Sequence, residues 1–370
     1  MHQVIHVDDR GPTKYFHGRD GIRTLFAERL NHYEQLSGGS TFLITGAPGA
    51  GKSALLDVLG KDADKMGWNV KTEISPEHFA SPARMARALG VKYIPRKSGL
   101  VTLSVKVFRK VWRSEKDTAP GVADIIKQAA KSRPLILVLD EAQHLDNIAS
   151  IEAYRVTATA TMDALHNGKI GYPCILLAGG LDTSEKALGD LGVSRITSEN
   201  KVRLGSMEME AAERVILDYV DGEFGESVPD HWLGAIAEPT HGWPQHIVCY
   251  ANAVGNRLMS LSRNPTDGDL DEALRNGRVT QMDYYEARAH DITWGQRAIL
   301  ARLVAEIPVG GTLRKSHVIS ALAEEYSQEV AEATFTRALK QGVLSKIKGG
   351  TYGVPIPSMH RWLVEEYAPN

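Results

Sequence analysis

Apolar runs and amphipathic stretches alternate along the first 205 residues of the chain. Short strand-like runs occupy residues 41–45, 70–74, 135–139, 174–178 and 201–204, and helical periodicity occupies 22–36, 52–59, 82–89, 122–130 and 151–167. This alternation predicts an α/β domain built on a parallel sheet with helices on both faces. The run 135–139 (LILVL) is aliphatic at every position, the pattern of a strand covered on both sides. Residues 206 to 290 then read as helix, notably over 211–219 and 245–261, with Thr266 and Asp269 as a cap before Leu270.

The last block, about 291–370, has a different rhythm. Helices are predicted over 294–305, 316–326 and 329–341, with a break at 308–311. Two short runs, 343–347 and 352–354, flank Lys348-Gly349-Gly350, a glycine turn suited to a β-hairpin, and a further helix covers 358–367. Three helices followed by a hairpin predict a winged helix. The expected division is therefore a core over 1–205, a helical domain over 206–290 and a winged-helix domain over 291–370.

Between the first strand and the helix after it stands Gly46-Ala47-Pro48-Gly49-Ala50-Gly51-Lys52-Ser53, a G-x-x-x-x-G-K-S loop. Its glycines let successive backbone N–H groups turn inward on one anion, and the new helix brings its unpaired N–H groups and positive dipole end to the same place. The loop, with Ala54 after it, predicts binding of a nucleoside triphosphate. Lys52 is expected to bridge the β- and γ-phosphates, and the Ser53 hydroxyl to ligate Mg²⁺.

The second half of such a site is a buried strand ending in acid, and the run 135–139 leads into Asp140 and Glu141 after the breaker Pro134. Asp140 can hold the Mg²⁺ shell, and Glu141 can orient and activate the attacking water. Alone, an apolar run ending in Asp-Glu is also a strand followed by a helix cap. The phosphate loop upstream favours the catalytic reading.

That run continues as DEAQHL, from Asp140 to Leu145, and together with the loop it resembles the AAA+ and STAND branches of the P-loop ATPases. The likeness is to replication-initiator, transposition-regulator and STAND signalling ATPases. It implies ATP as ligand, an AAA+ core and a helical lid over 206–290. Phe16-His17-Gly18-Arg19 resembles the F-x-G-R element of initiator and STAND proteins, which implies that Arg19 borders the adenine; the Glu often found three residues later is Ile22 here. Ser194-Arg195-Ile196 resembles the element carrying the arginine finger, which implies that Arg195 reaches a neighbouring subunit's nucleotide and that the chain self-associates through its ATPase surface. A surface Arg at a helix end is the other reading. Gly242-Trp243-Pro244 resembles the lid motif, which brings Pro244 to the nucleotide; the Arg that follows it in initiators is Gln245, which carries no charge. The first sensor, usually Asn, Thr or Ser after the fourth strand, has no Asn in place, leaving Asp182 or Thr183.

At 370 residues, with 43% hydrophobic and 24% charged content, the chain can bury two or three modest cores. No apolar stretch approaches the ~18–20 residues of a membrane span, and the opening residues do not read as a signal peptide, so a cytoplasmic protein with no membrane partner is expected. The two cysteines, Cys174 and Cys249, read as small core residues in a reducing compartment, and the thirteen histidines show no metal-binding spacing.

The formal charge of −2 hides a local asymmetry. Residues 84–116 carry ten Lys/Arg, among them Lys106, Arg109, Lys110 and Arg113, against the single acid Glu115. Residues 100–108 alternate like a strand, which predicts a basic hairpin inserted in the core; positively charged insertions there contact the DNA backbone in the ATPases it resembles. A solvated basic face is the alternative. Residues 286–370 hold ten Lys/Arg against nine acids, weak for a duplex binder, although Lys346 and Lys348 on the hairpin could meet phosphates. Winged helices also contact proteins. Together these readings predict an ATPase whose nucleotide state controls assembly on DNA; the alternative is a STAND-like scaffold that switches a protein partner without DNA.

Overall fold

A computed structural model describes residues 14–34, 39–92, 119–167, 170–193 and 196–368. They form two compact units. One comprises Asp20–Thr45 and Lys52–Arg203; the other comprises residues 14–19, Gly46–Gly51 and residues 204–368.

The first unit runs α1 (Asp20–Glu34), β1 (Gly39–Gly46), α2 (Lys52–Lys65), β2 (Asn69–Ile74), α3 (Pro82–Ala88), α4 (Ala119–Ala130), β3 (Leu135–Leu139), α5 (Leu145–Ala149), α6 (Glu152–His166), β4 (Cys174–Gly180), α7 (Ser184–Asp190) and β5 (Lys201–Leu204). The five strands lie in the order β2-β3-β4-β1-β5. β2 with β3, β3 with β4 and β4 with β1 pair in parallel, which requires the helical crossovers that α2, α4 and α6 supply. Every residue of β3 and β4 is buried, as the aliphatic runs require. Phe79, Met85, Ile126, Leu137, Met162 and Leu176 are part of one continuous core.

Register fixes what comes next. Leu139 pairs with Ala178 and Ile44 with Gly179, so β1, β3 and β4 finish level with one another. The residues that follow these strands therefore emerge along one edge, the carboxyl edge at which open α/β sheets bind ligands. Among the described residues, no helix is long and apolar enough to cross a membrane.

The second unit contains α8 (Met209–Phe224), α9 (Leu233–Ala237), α10 (Pro244–Met259) and α11 (Asp267–Ala289), packed around Ile216, Trp232, Ile247, Tyr250, Val254 and Ala273. Thr266 caps α11 as its sequence requires: its hydroxyl and N–H both donate to Asp269 Oδ2, at 2.6 and 2.8 Å. There follow α12 (Trp294–Ala305), β6 (Leu313–Arg314), α13 (Lys315–Ala323), α14 (Gln328–Lys340), β7 (Ser345–Lys348), β8 (Thr351–Gly353) and α15 (Pro357–Tyr367). The last three strands form an antiparallel sheet in the order β6-β8-β7, the β7–β8 hairpin turning at Gly349 and Gly350, both with positive φ. α15 is tied to α11 by the Tyr285 hydroxyl, which donates to Ser358 Oγ at 2.6 Å.

Candidate functional site

The loop after β1 divides between the two units, Gly46–Gly51 in one and Lys52 onward in the other. Within its unit, Gly49 and Gly51 adopt φ of 79° and 85°, backbone that a side chain would strain. Gly49 is also held closely. A Cβ there would stand 2.6 Å from the Tyr284 hydroxyl, 2.9 Å from Gln245 Cβ and 3.0 Å from Trp243 Nε1. Two loop carbonyls have donors from α11 and α10: the Tyr284 hydroxyl donates to Pro48 O at 2.9 Å, and the Gln245 N–H donates to Gly49 O at 3.2 Å. Pro244, the first residue of α10, packs against Gly51.

In the other unit Lys52 opens α2 and is buried, while Ala54 is partly buried behind it. The Ser53 hydroxyl donates to Asp140 Oδ2 at 2.5 Å. Asp140 follows β3 directly, and its other oxygen accepts the Glu141 N–H at 2.8 Å. Fold and motif thus bring together two oxygen donors that lie far apart in sequence. Glu141 itself has φ 54°, a left-handed conformation that a non-glycine residue seldom takes, and its side chain is half exposed.

Beside Asp140 runs the end of β4. A Cβ on Gly179 would lie 2.7 Å from Leu56 Cδ1 and 3.5 Å from Asp140 Oδ1, so α2 and β3 approach this strand closely because it ends in glycine. Asp182, just beyond, is paired with Arg203 of β5 at 3.2 Å. Thr183 precedes α7 and makes no side-chain cap.

Arg19 also has positive φ, 63°, and its guanidinium donates to the carbonyls of Gly205 and Ser206, tying the residues before α1 to the segment that leads into α8. Burial lowers its pKa from the ordinary arginine value. His17, two residues earlier, meets Asp218 at 2.6 Å. Lys346 and Lys348 are exposed on β7, with no ion-pair partner among the described residues. Arg195 and the basic residues Lys106, Arg109, Lys110 and Arg113 lie outside the described residues. Gln143, beside Glu141, falls within the DEAQHL run without a role assigned to it there, and Tyr284, which holds Pro48, is marked by no motif.

Residues 35–178 match a family model described as an AAA domain. Among solved structures the chain resembles a Walker-type ATPase of Pyrococcus abyssi, at 16% identity over 96% of this chain and 99% of that one, with a TM-score of 0.55. It also resembles the ORC2 protein of Aeropyrum pernix in its ADP form, at 14% identity over 97% and 96% of the two chains, with a TM-score of 0.56. The same protein in its ADPNP-ADP complexes gives 14% identity, 97% and 95% coverage and 0.55. No curated protein matches the chain. At such identities the likeness establishes the fold, that of the AAA+ P-loop ATPases.

Proposed function

We propose that this chain, with its AAA domain and AAA+ fold, is an ATPase that binds ATP with Mg²⁺ at residues 46–54 and whose nucleotide state controls its assembly on DNA. The observation that carries the reading is the contact of Ser53 Oγ with Asp140 Oδ2, 2.5 Å apart, with Glu141 as the next residue. A hydroxyl and a carboxylate are the hard oxygen donors that suit Mg²⁺. Bound there, Mg²⁺ would neutralise charge on the β- and γ-phosphate oxygens.

The chain's own residues supply the rest. Lys52 places a cation against the β- and γ-phosphates, and the glycine loop offers backbone N–H groups to the same anion. Glu141 accepts a proton from water as the water oxygen bonds to the γ-phosphorus. The bond to the β–γ bridging oxygen breaks, leaving ADP and inorganic phosphate. Arg195 serves as a finger in trans, which makes self-association a condition of turnover. Pro244 and Arg19 border the nucleotide.

The proposed organisation is a core over 1–205, a lid over 206–290 and a winged helix over 291–370, supported by the helix, helix, helix, hairpin order of the last block. Contact with DNA is assigned to the basic segment of the core and to Lys346 and Lys348. Phosphate release and binding of a labelled ATP analogue test the enzymatic reading. Lys52→Ala is expected to lose nucleotide binding, whereas Glu141→Gln should bind ATP and lose turnover by about 10²-fold or more, because an amide cannot take the proton. Equal turnover in Glu141→Gln and wild type overturns the assignment of Glu141.

A further inference from the structure

A general base works only if its carboxylate stays where water attacks, and Glu141 sits on strained backbone with its side chain half exposed. His144 Nε2 stands 3.9 Å from Glu141 Oε2, and a closer neighbour restrains the same oxygen. Gln143 Nε2 donates to Glu141 Oε2. The other end of the same amide is also engaged: Gln143 Oε1 accepts the Leu181 N–H at 3.0 Å and the Ser184 hydroxyl at 3.4 Å.

These partners fix which way the amide points. A backbone N–H can only donate, so the Gln143 oxygen must face Leu181 and its NH₂ must face Glu141. The close approach is built into β4. A Cβ on Gly180 would stand 2.4 Å from Gln143 Oε1 and 2.2 Å from Ser184 Oγ, so only glycine lets the amide reach the strand end. Ser184 is fully buried.

We infer that Gln143 is a positioning residue for hydrolysis: it holds Glu141 by one carboxylate oxygen, leaves the other to take the proton from water, and keys that position to the end of β4. The inference rests on the ATPase reading with Glu141 as base. Because the amide spans from β3 to β4, a shift at Leu181 moves Glu141 directly. The next residue, Asp182, is bonded to Arg203, so the linkage continues into β5.

Two variants of the full chain separate positioning from packing. Gln143→Glu keeps the shape and the acceptor facing Leu181 and Ser184, but sets a negative oxygen against Glu141. Gln143→Met keeps the length and removes both functions. Measured quantities are kcat, KM for ATP with Mg²⁺, affinity for a labelled ATP analogue and melting temperature, with wild type and Glu141→Gln as controls. Both variants should lower kcat about tenfold or more, with analogue affinity within about twofold of wild type, since misplacement of a catalytic group costs rate rather than binding. Combined with Glu141→Gln, neither should lower the residual rate further. Wild-type kcat in Gln143→Glu and Gln143→Met beside an inactive Glu141→Gln overturns this inference alone. Loss confined to KM and affinity overturns it too. Full turnover in Glu141→Gln would instead remove the reading on which it rests.

Discussion

The Tyr284 hydroxyl donates to the Pro48 carbonyl at 2.9 Å, joining residues 236 positions apart. One turn further along α11, the Arg288 guanidinium lies 4.3 Å over the Tyr284 ring and donates to the Gln341 carbonyl at 2.8 Å. Gly342 then approaches the loop so closely that a Cβ there would stand 2.6 Å from Pro48 Cδ. One helix thus touches the loop and the turn before the β7–β8 hairpin. Tyr284→Phe removes the hydrogen bond to the Pro48 carbonyl, worth about 1 kcal/mol, and should loosen the loop enough to weaken ATP-analogue affinity about fivefold. Titration with a labelled analogue measures this; unchanged affinity would mean that the Pro48 hydrogen bond does not shape the loop.

Local pattern revealed the sheet because each strand announces itself. The runs at 135–139 and 201–204 coincide with β3 and β5, and 294–305 coincides with α12. Elements set by tertiary contact were harder to read. β4 continues through Gly179 and Gly180, which look like a turn, because they pair with Ile44 and Thr45 of β1. β6 has two residues, too few to show a period, and exists because Leu313 and Arg314 pair with β8. α2 runs past Gly60 to Lys65, with Gly60 packed near Val70 and Val138 at distances where a Cβ would make only ordinary contact, 3.5 and 3.8 Å. The motif residues Ser53 and Asp140 were legible, whereas Tyr284 and the partners of Gln143 were not. Their contacts depend on which strands and helices become neighbours, and no short window of sequence records that.

Acid should weaken the fold in two overlapping steps. Burial pushes the His246 imidazole down to about 3, and it lowers His166 as well. The unfolded chain therefore binds these protons first, near the ordinary pKa of about 6.5, so this stability is present above that pH and is lost as pH falls. The Asp269 carboxyl is held far below the carboxylate range by hydrogen bonds from Arg263, then Thr266, with Arg257 also contributing. Its contribution is present above the unfolded value of about 3.9 and is lost below it. Melting temperature should fall continuously from about pH 7 to about pH 4, and His246→Gln should flatten the upper part of that slope. Asp269→Asn should melt lower than wild type at neutral pH. A melting temperature that does not change between about pH 7 and pH 5 would show that the buried imidazoles protonate without cost.

If Arg195 acts in trans, turnover per subunit must rise with protein concentration. Arg195→Ala should then reduce turnover by roughly 10³-fold while nucleotide affinity stays close to wild type. Mixing Arg195→Ala with Glu141→Gln should restore part of the activity, because one interface in the mixed assembly pairs an intact Arg195 with an intact Glu141. No recovery at any ratio, with mixed assemblies shown to form, counts against the finger.

Two segments compete for the role of DNA contact, and their charge balance separates them. Residues 84–116 hold ten cations and one acid, whereas residues 286–370 hold ten cations and nine acids. Binding driven by the first segment should be largely indifferent to sequence, since it neutralises phosphates and releases their counterions. Replacing Lys106, Arg109, Lys110 and Arg113 by Ala should weaken binding alike for all duplexes and flatten the log K against log salt slope by roughly 0.9 for each phosphate that is no longer neutralised. Lys346 and Lys348 stand exposed on β7 without carboxylate partners among the described residues, so their replacement should cost less but follow the same salt rule. A salt titration of labelled duplex with the ATP-bound protein decides. If the hairpin variant loses more affinity than the core variant, the C-terminal block is the reader. If wild type shows no salt-dependent binding, DNA is not the partner, and the nucleotide switch acts on a protein instead.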